Sequence, residues 1–159
     1  MKDFFCFIGG EDEMRHEELW KIYRSLNQEV SDTYQAWAFA VNPDELAKLV
    51  MNGTKCATTS LFVWYERGEA KLPQVADYNI ILNGRDEAVC IVETMKVSIV
   101  PFNEVTEEHA FKEGEGDRRL ETWRTTHRDF FSKELLEMGL HFHDEMPVVC
   151  EEFQVVYKP

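Results

Sequence analysis

The chain has 159 residues, 44% of them hydrophobic and 13% aromatic, which suits one domain with a substantial core and excludes disorder driven by low hydrophobicity. Its formal net charge of −13 excludes a protein that coats long polyanions, because such binding draws its affinity from clustered Lys and Arg. A site for one nucleoside or a short nucleic-acid end is compatible with that charge.

The apolar run Phe4 to Ile8 is too short for a signal-peptide core, and Glu11, Asp12 and Glu13 follow it closely, so the chain is expected to be cytoplasmic. No stretch is long and apolar enough to span a bilayer, and no membrane partner is expected. Glu11 to Leu26 is predicted helical, since Leu19, Ile22, Tyr23 and Leu26 recur at spacings of three and four. Asn42-Pro43-Asp44-Glu45 predicts a helix start with Asn42 as cap, Leu46, Leu49 and Val50 as the apolar face, and Gly53 as the left-handed end. Thr58 to Tyr65 reads equally as a strand or a short helix.

Tyr78 to Leu82 and Val89 to Val100 are predicted strands, joined through Asn83-Gly84 by a hairpin loop longer than two residues. Thr106 starts a short helix that Gly114 ends, and Asp117 starts a longer one with Leu120, Trp123, His127, Phe130 and Phe131 near one face. Arg118, Arg119, Arg124, Arg128 and Lys133 make that segment locally basic against Glu121 and Asp129. Pro147 to Tyr157 closes the chain as a strand. The order lacks a βαβ rhythm, so the expected fold is α+β, a small and mostly antiparallel β-barrel with flanking helices.

Cys6, Cys56, Cys90 and Cys150 are scattered without a Cys-x-x-Cys pair and read as reduced core thiols. His141-x-His143-Asp144-Glu145 holds metal-binding residue types, but no third group with matching spacing accompanies them, and no metal or cofactor is expected.

Gly53-Thr54-Lys55-Cys56-Ala57-Thr58 resembles the Gly-x-Lys-x-x-Thr signature of ASCH domains, the activating-signal-cointegrator homology domains of the PUA-like class. Leu72 to Asp77 resembles the family's turn into a strand, and Phe102, Val105, Thr106, Ala110 and Glu113 keep its Phe-x-x-Val-Thr-x-x-x-Ala-x-x-Glu order. Gly114-Glu115-Gly116-Asp117, with Trp123 and His127 after it, is similar to a bacterial subgroup. The resemblance spans Asn42 to Tyr157. It implies one domain over 1–159 with 1–40 as an N-terminal helical extension. Two departures stand out: Ala76 replaces a usual Gly, and Ser60 stands where many members carry Arg, which favours an uncharged ligand.

The resemblance implies a barrel cleft that binds RNA or a modified nucleoside, with hydrolysis of the acyl amide of an N4-acylated cytidine as one family activity. A non-catalytic RNA-binding module and a metal-independent ribonuclease remain the alternatives, and the oligomeric state is open. The implied catalytic set is Lys55, Thr58 and Glu113, with Thr58 as nucleophile and Lys55 as its base. The other reading of Lys55 and Thr58 is a Lys bonded to loop carbonyls and a Thr capping a strand. Trp123 and His127, four apart on one helix face, are candidates to stack and bond a base. Gly53, Ser60, Asp117 and Arg119 complete the expected substrate-binding group.

Overall fold

The computed structural model describes residues 14–159. Its helices are α1 (His16–Leu26), α2 (Pro43–Met51), α3 (Val63–Glu66), α4 (Glu107–Glu113) and α5 (Leu120–Glu137). Its strands are β1 (Gln35–Ala38), β2 (Ala57–Leu61), β3 (Tyr78–Leu82), β4 (Ala88–Pro101) and β5 (Pro147–Tyr157). The sheet runs β1-β3-β4-β5-β2, with β1 parallel to β3 and every other pair antiparallel. Register shifts between Ile91 and Val92 and between Thr94 and Lys96 bend the two long strands, β4 and β5, and bulges of this kind curl a sheet. The product is an α+β fold around a curled half-barrel. This is the expected mostly antiparallel barrel with flanking helices in its half-barrel form, β1 and β2 standing at the two ends of the strand order.

Strand alternation divides the helices between the two faces of the sheet. On one face, Leu19, Trp20 and Tyr23 of α1 pack on Ile80, Leu82 and Ile91. Further along that face, Leu61, Val148 and Cys150 are covered by Ala110, Trp123, Phe131 and Leu135 of α4 and α5. The opposite face receives α2, whose Leu46, Ala47 and Val50 meet Ile81, Cys90, Val92 and Phe153.

Tyr78–Leu82 and Pro147–Tyr157 have the bounds expected from sequence. Thr58 to Tyr65 resolves into both candidates, a strand to Leu61 and then the short helix α3. Glu11 to Glu13, the first part of the expected first helix, and Cys6 lie outside the described residues. The segment assigned to the N-terminal extension contains β1, an edge strand of the sheet. Asn42 does not cap α2: it adopts φ 48 and makes no side-chain cap bond, while Pro43 supplies the first helical position. Asp44 turns outward to accept the Gly84 amide at 2.9 Å, tying α2 to the β3–β4 turn. The long helix begins at Leu120 rather than Asp117, after a turn in which Asp117 accepts from Arg119 N and the Thr122 hydroxyl.

A candidate active site where two helix ends meet

Two left-handed glycines bring Lys55 and Glu113 together. Gly53, at φ +80, ends α2 and turns the chain so that Lys55 N donates to Leu49 O at 2.9 Å. Gly114, at φ +73, ends α4 directly against that turn. A Cβ there would lie 2.3 Å from Thr54 O and 2.9 Å from Lys55 N, so only glycine permits the approach. The Cys56 amide then donates to Lys112 O at 2.8 Å, joining the α2–β2 turn to the last turn of α4.

Lys55 and Glu113 are each 1% exposed. The Lys55 ammonium donates to Ala57 O at 2.8 Å, Glu115 Oε2 at 2.9 Å, Glu113 O at 3.4 Å and Glu113 Oε1 at 3.5 Å. It also lies 5.2 Å from the centroid of the Phe39 ring. Every polar partner in reach is an acceptor. In this arrangement the Lys55 amine is a donor to each of them.

Glu113 is the hub of the cluster. Its Oε2 accepts from the Thr59 hydroxyl at 2.8 Å and from the Trp123 indole N–H, and lies 3.3 Å from His109 Nε2. His127 Nε2 stands 3.5 Å from Oε1. Burial alone would push the Glu113 carboxyl up, but its bonds to His109 and His127 and the Lys55 charge hold it well below the usual carboxylate range. Such a carboxylate is a poor proton acceptor and a strong anchor for cations.

His109 sits one turn before Glu113 on α4, its place fixed by Thr106, whose hydroxyl accepts the His109 amide at 3.1 Å. Burial pushes the His109 imidazole down, yet its bonds to Cys150 and Glu113 outweigh that and raise it to about 9. Its Nε2 lies 2.8 Å from Thr59 Oγ1. One hydroxyl thus touches an imidazole and a buried carboxylate that is itself paired to an ammonium.

That hydroxyl belongs to Thr59, not Thr58. Strand side chains alternate, so Ala57, Thr59 and Leu61 face α4 and α5 while Thr58 and Ser60 face the opposite side of β2. Thr58 makes no hydrogen bond to Lys55 or Glu113, and Ser60 is bonded to the Tyr65 hydroxyl at 2.7 Å. Thr58, the nucleophile expected from sequence, thus lies on the face of β2 away from Glu113, and Thr59 is the hydroxyl beside that carboxylate.

Trp123 does not offer a stacking face. It is 6% exposed, with the His127 ring stacked at 4.1 Å and the Phe102 ring stacked at 5.3 Å. His127 donates from Nδ1 to the Trp123 carbonyl at 2.9 Å, which directs Nε2 at Glu113. Asp117 orders the turn before α5, and exposed Arg119 and Gly53 lie outside the cluster. The basic segment is largely satisfied within the protein. Arg118 bonds Phe111 O, Arg124 bonds Asn103 O, Arg128 bonds Asp144 and Lys133 bonds Asp129.

A cleft of about 230 Å³ between α2 and α5 reaches Glu113, Glu115, Trp123 and His127 of the cluster, while Thr59, His109 and Lys55 lie behind its lining. Asn42, Glu45 and Leu49 line one side, Thr122, Thr126 and His127 the other, and Glu113 and Glu115 its depth. Among the described residues no group of three His, Cys, Asp or Glu side chains is placed to hold a metal ion, and none includes His141 and His143. Among the described residues no helix is long and apolar enough to cross a membrane.

Thr59 and His109 were not singled out from sequence. For His109 a signal exists: it follows a Thr cap by three residues and precedes Glu113 by four, so it shares a helix face with the carboxylate.

The ASCH domain sequence model matches residues 35–157. The structure is similar to that of an ASCH domain from Lactobacillus crispatus JV V101, with 35% identity over 87% of this chain and 89% of that one and a TM-score of 0.79. It is similar to a protein from Enterococcus faecalis V583 at 32% identity, covering 88% and 86% of the two chains with a TM-score of 0.78. A hypothetical protein at 16% identity and a TM-score of 0.51 shares the fold alone. No curated protein matches.

Proposed function

We propose, from the premise that this chain belongs to the ASCH family, that it binds a modified nucleoside or the end of a short RNA and hydrolyses the acyl amide of an N4-acylated cytidine. The observation that carries the reading is the Thr59 hydroxyl, 2.8 Å from both His109 Nε2 and Glu113 Oε2. A nucleophile, an orienting base and a buried carboxylate in mutual contact make up the chemistry of acyl transfer.

In this mechanism Thr59 Oγ1 attacks the acyl carbon. Its proton passes to His109 in the form with a neutral imidazole, which gains population toward pH 9 and requires the hydroxyl to turn from Glu113 to His109 Nε2. The amine leaves as the exocyclic amino group of cytidine, taking that proton. Water then hydrolyses the acyl ester on Thr59, with His109 accepting a proton from it. Glu113 keeps its charge throughout and holds His109, His127 and Lys55 in place. The Lys55 ammonium adds positive charge beside the developing oxyanion.

A second reading, a binding module without turnover, is favoured by one observation: each polar partner of Lys55 is already an acceptor, so the ammonium has no free role in proton transfer. Chromatography of N4-acetylcytidine incubated with the protein separates the two. Release of cytidine and acetate in excess of protein supports hydrolysis. Saturable binding with no release refutes it.

A further inference from the structure

We propose that the face of β2 and β5 opposite the buried cluster is a second binding site, one that takes the hydrogen-bonding edge of a neutral nucleobase with Glu151 as its acceptor. This inference does not rest on the hydrolytic reading, since it concerns side chains on the other side of β2.

The strand register assembles the site. Glu151 of β5 stands opposite Thr58 of β2 and Val97 of β4, and the next row on the same face holds Ser60, Val149 and Ile99. Helices α1, α4 and α5 pack on the reverse of the sheet, α2 covers this face over β3, β4, Phe153 and Val155, and Val149 is itself buried, so the accessible part of the face lies around Val97, Ile99 and Glu151. Thr58, Ser60, Tyr65, Val97 and Glu151 are consequently half-buried, and Ile99 is exposed. A flat ring laid on Val97 and Ile99 would have these polar groups at its edge.

Glu151 is held by a chain of donors that all point at it. Trp37 Nε1 donates to Asn79 Oδ1 at 2.9 Å, Asn79 Nδ2 to Thr94 Oγ1 at 3.5 Å, and the Thr94 hydroxyl to Glu151 Oε1 at 2.7 Å. Asn79 and Thr94 are buried, so the chain is fixed in direction. Oε1 is thus committed, while Oε2 has no hydrogen-bond partner among the described residues. A buried donor chain that ends on a half-buried carboxyl with one free oxygen is an arrangement for accepting a bond from outside.

Thr58 opposite Glu151, Ser60 in the next row and Tyr65 bonded to Ser60 bring three hydroxyls to this face. Ser60 Oγ and Tyr65 Oη are 2.7 Å apart, and since only one of their two protons lies between them, one donor remains. Burial raises the Tyr65 phenol, the Ser60 bond opposes this, and the Glu151 charge adds to the rise. Thr58 contributes a further hydroxyl. An acceptor flanked by donors complements an N–H next to a ring nitrogen or carbonyl, the pattern on the edge of cytosine. The same groups argue against phosphate. Burial raises the Glu151 carboxyl and nearby Asp77 raises it further, so the local field disfavours an anion.

The test uses the full chain with cytidine and N4,N4-dimethylcytidine, which lacks the N4–H. Amide shifts are followed by NMR and affinity by calorimetry, for the wild type, Glu151→Gln and Thr58→Val. The expected result is that cytidine shifts the amides of Thr58, Ser60 and Glu151. Dimethylation and Glu151→Gln should each weaken binding by about tenfold or more, the effect of losing one bond to a charged acceptor. Thr58→Val, close in shape to the native residue, should weaken binding without unfolding and covers the case in which Glu151→Gln does not fold. Shifts confined to the cleft around His127, or equal affinity for cytidine and its dimethyl derivative, would overturn the inference while leaving nucleoside binding intact. No shift with either compound would overturn it together with the nucleoside reading.

Discussion

Replacing Glu113 by Gln tests whether its carboxylate organises the cluster. Its two oxygens face the Thr59 hydroxyl, the Trp123 indole N–H, His109, His127 and the Lys55 ammonium. An amide has the same shape but one acceptor oxygen, so in either orientation its NH₂ group meets donors. At least two bonds to charged partners are lost, at roughly 1.5–3 kcal/mol each, and the buried Lys55 loses its counter-charge. The sum, about 3–6 kcal/mol, corresponds to a fall in Tm of roughly 10–20 °C for a chain of this size. Urea unfolding at pH 7 measures it, with Glu115→Gln as the control. The Glu115 side chain is 37% exposed and its ion pair should be worth less than about 1 kcal/mol. A Glu113→Gln loss no larger than that control would refute the central place given to this carboxylate.

Gly114→Ala should cost roughly 2–5 kcal/mol, because left-handed strain adds to a clash with the Thr54 carbonyl. Gly53→Ala, at φ +80 with open space around it, should cost only the strain of about 1–2 kcal/mol, and equal losses in thermal melts would contradict the packing described at Gly114. Ala76 adopts φ +73, so Ala76→Gly should relieve strain and raise stability by up to about 1 kcal/mol in the same assay. Stability should also depend on pH in two directions. The Glu113 contribution is present above its ordinary 4.5 and lost as pH falls through its depressed folded value. The His109 contribution is present below 6.5 and lost as pH rises through about 9, so unfolding free energy should peak between these limits and decline toward pH 9. A His109→Gln variant that keeps the same alkaline decline would contradict the assignment.

Much of this fold is legible in the sequence where a local rule decides. Tyr78–Leu82 and Pro147–Tyr157 are runs of β-formers bounded by turns, and Gly53 and Gly114 end their helices as their chemistry demands. The usual family glycine at position 76 is explained by the left-handed backbone that Ala76 adopts here. What escapes is set at long range. The four residues of β1 have no local signature and become a strand only by pairing with β3. Thr58 and Thr59 are equivalent by type, and only the register against Glu151 and Cys150 decides which one meets Glu113. Trp123 and His127 do share a helix face, as their spacing predicts, and they stack on each other with Phe102 against the Trp123 ring, a packing that their spacing alone does not reveal.

The reactive hydroxyl provides the most direct test of the account. Thr59→Ala and Thr58→Ala are compared with wild type for turnover of N4-acetylcytidine at pH 8, with folding matched by melting curves. Removing Thr59 should abolish turnover by several orders of magnitude, because the attacking oxygen and the partner of His109 disappear together. Removing Thr58, which faces the other side of β2, should leave turnover in place. Near wild-type turnover in Thr59→Ala, with loss of turnover in Thr58→Ala, would contradict the proposed site.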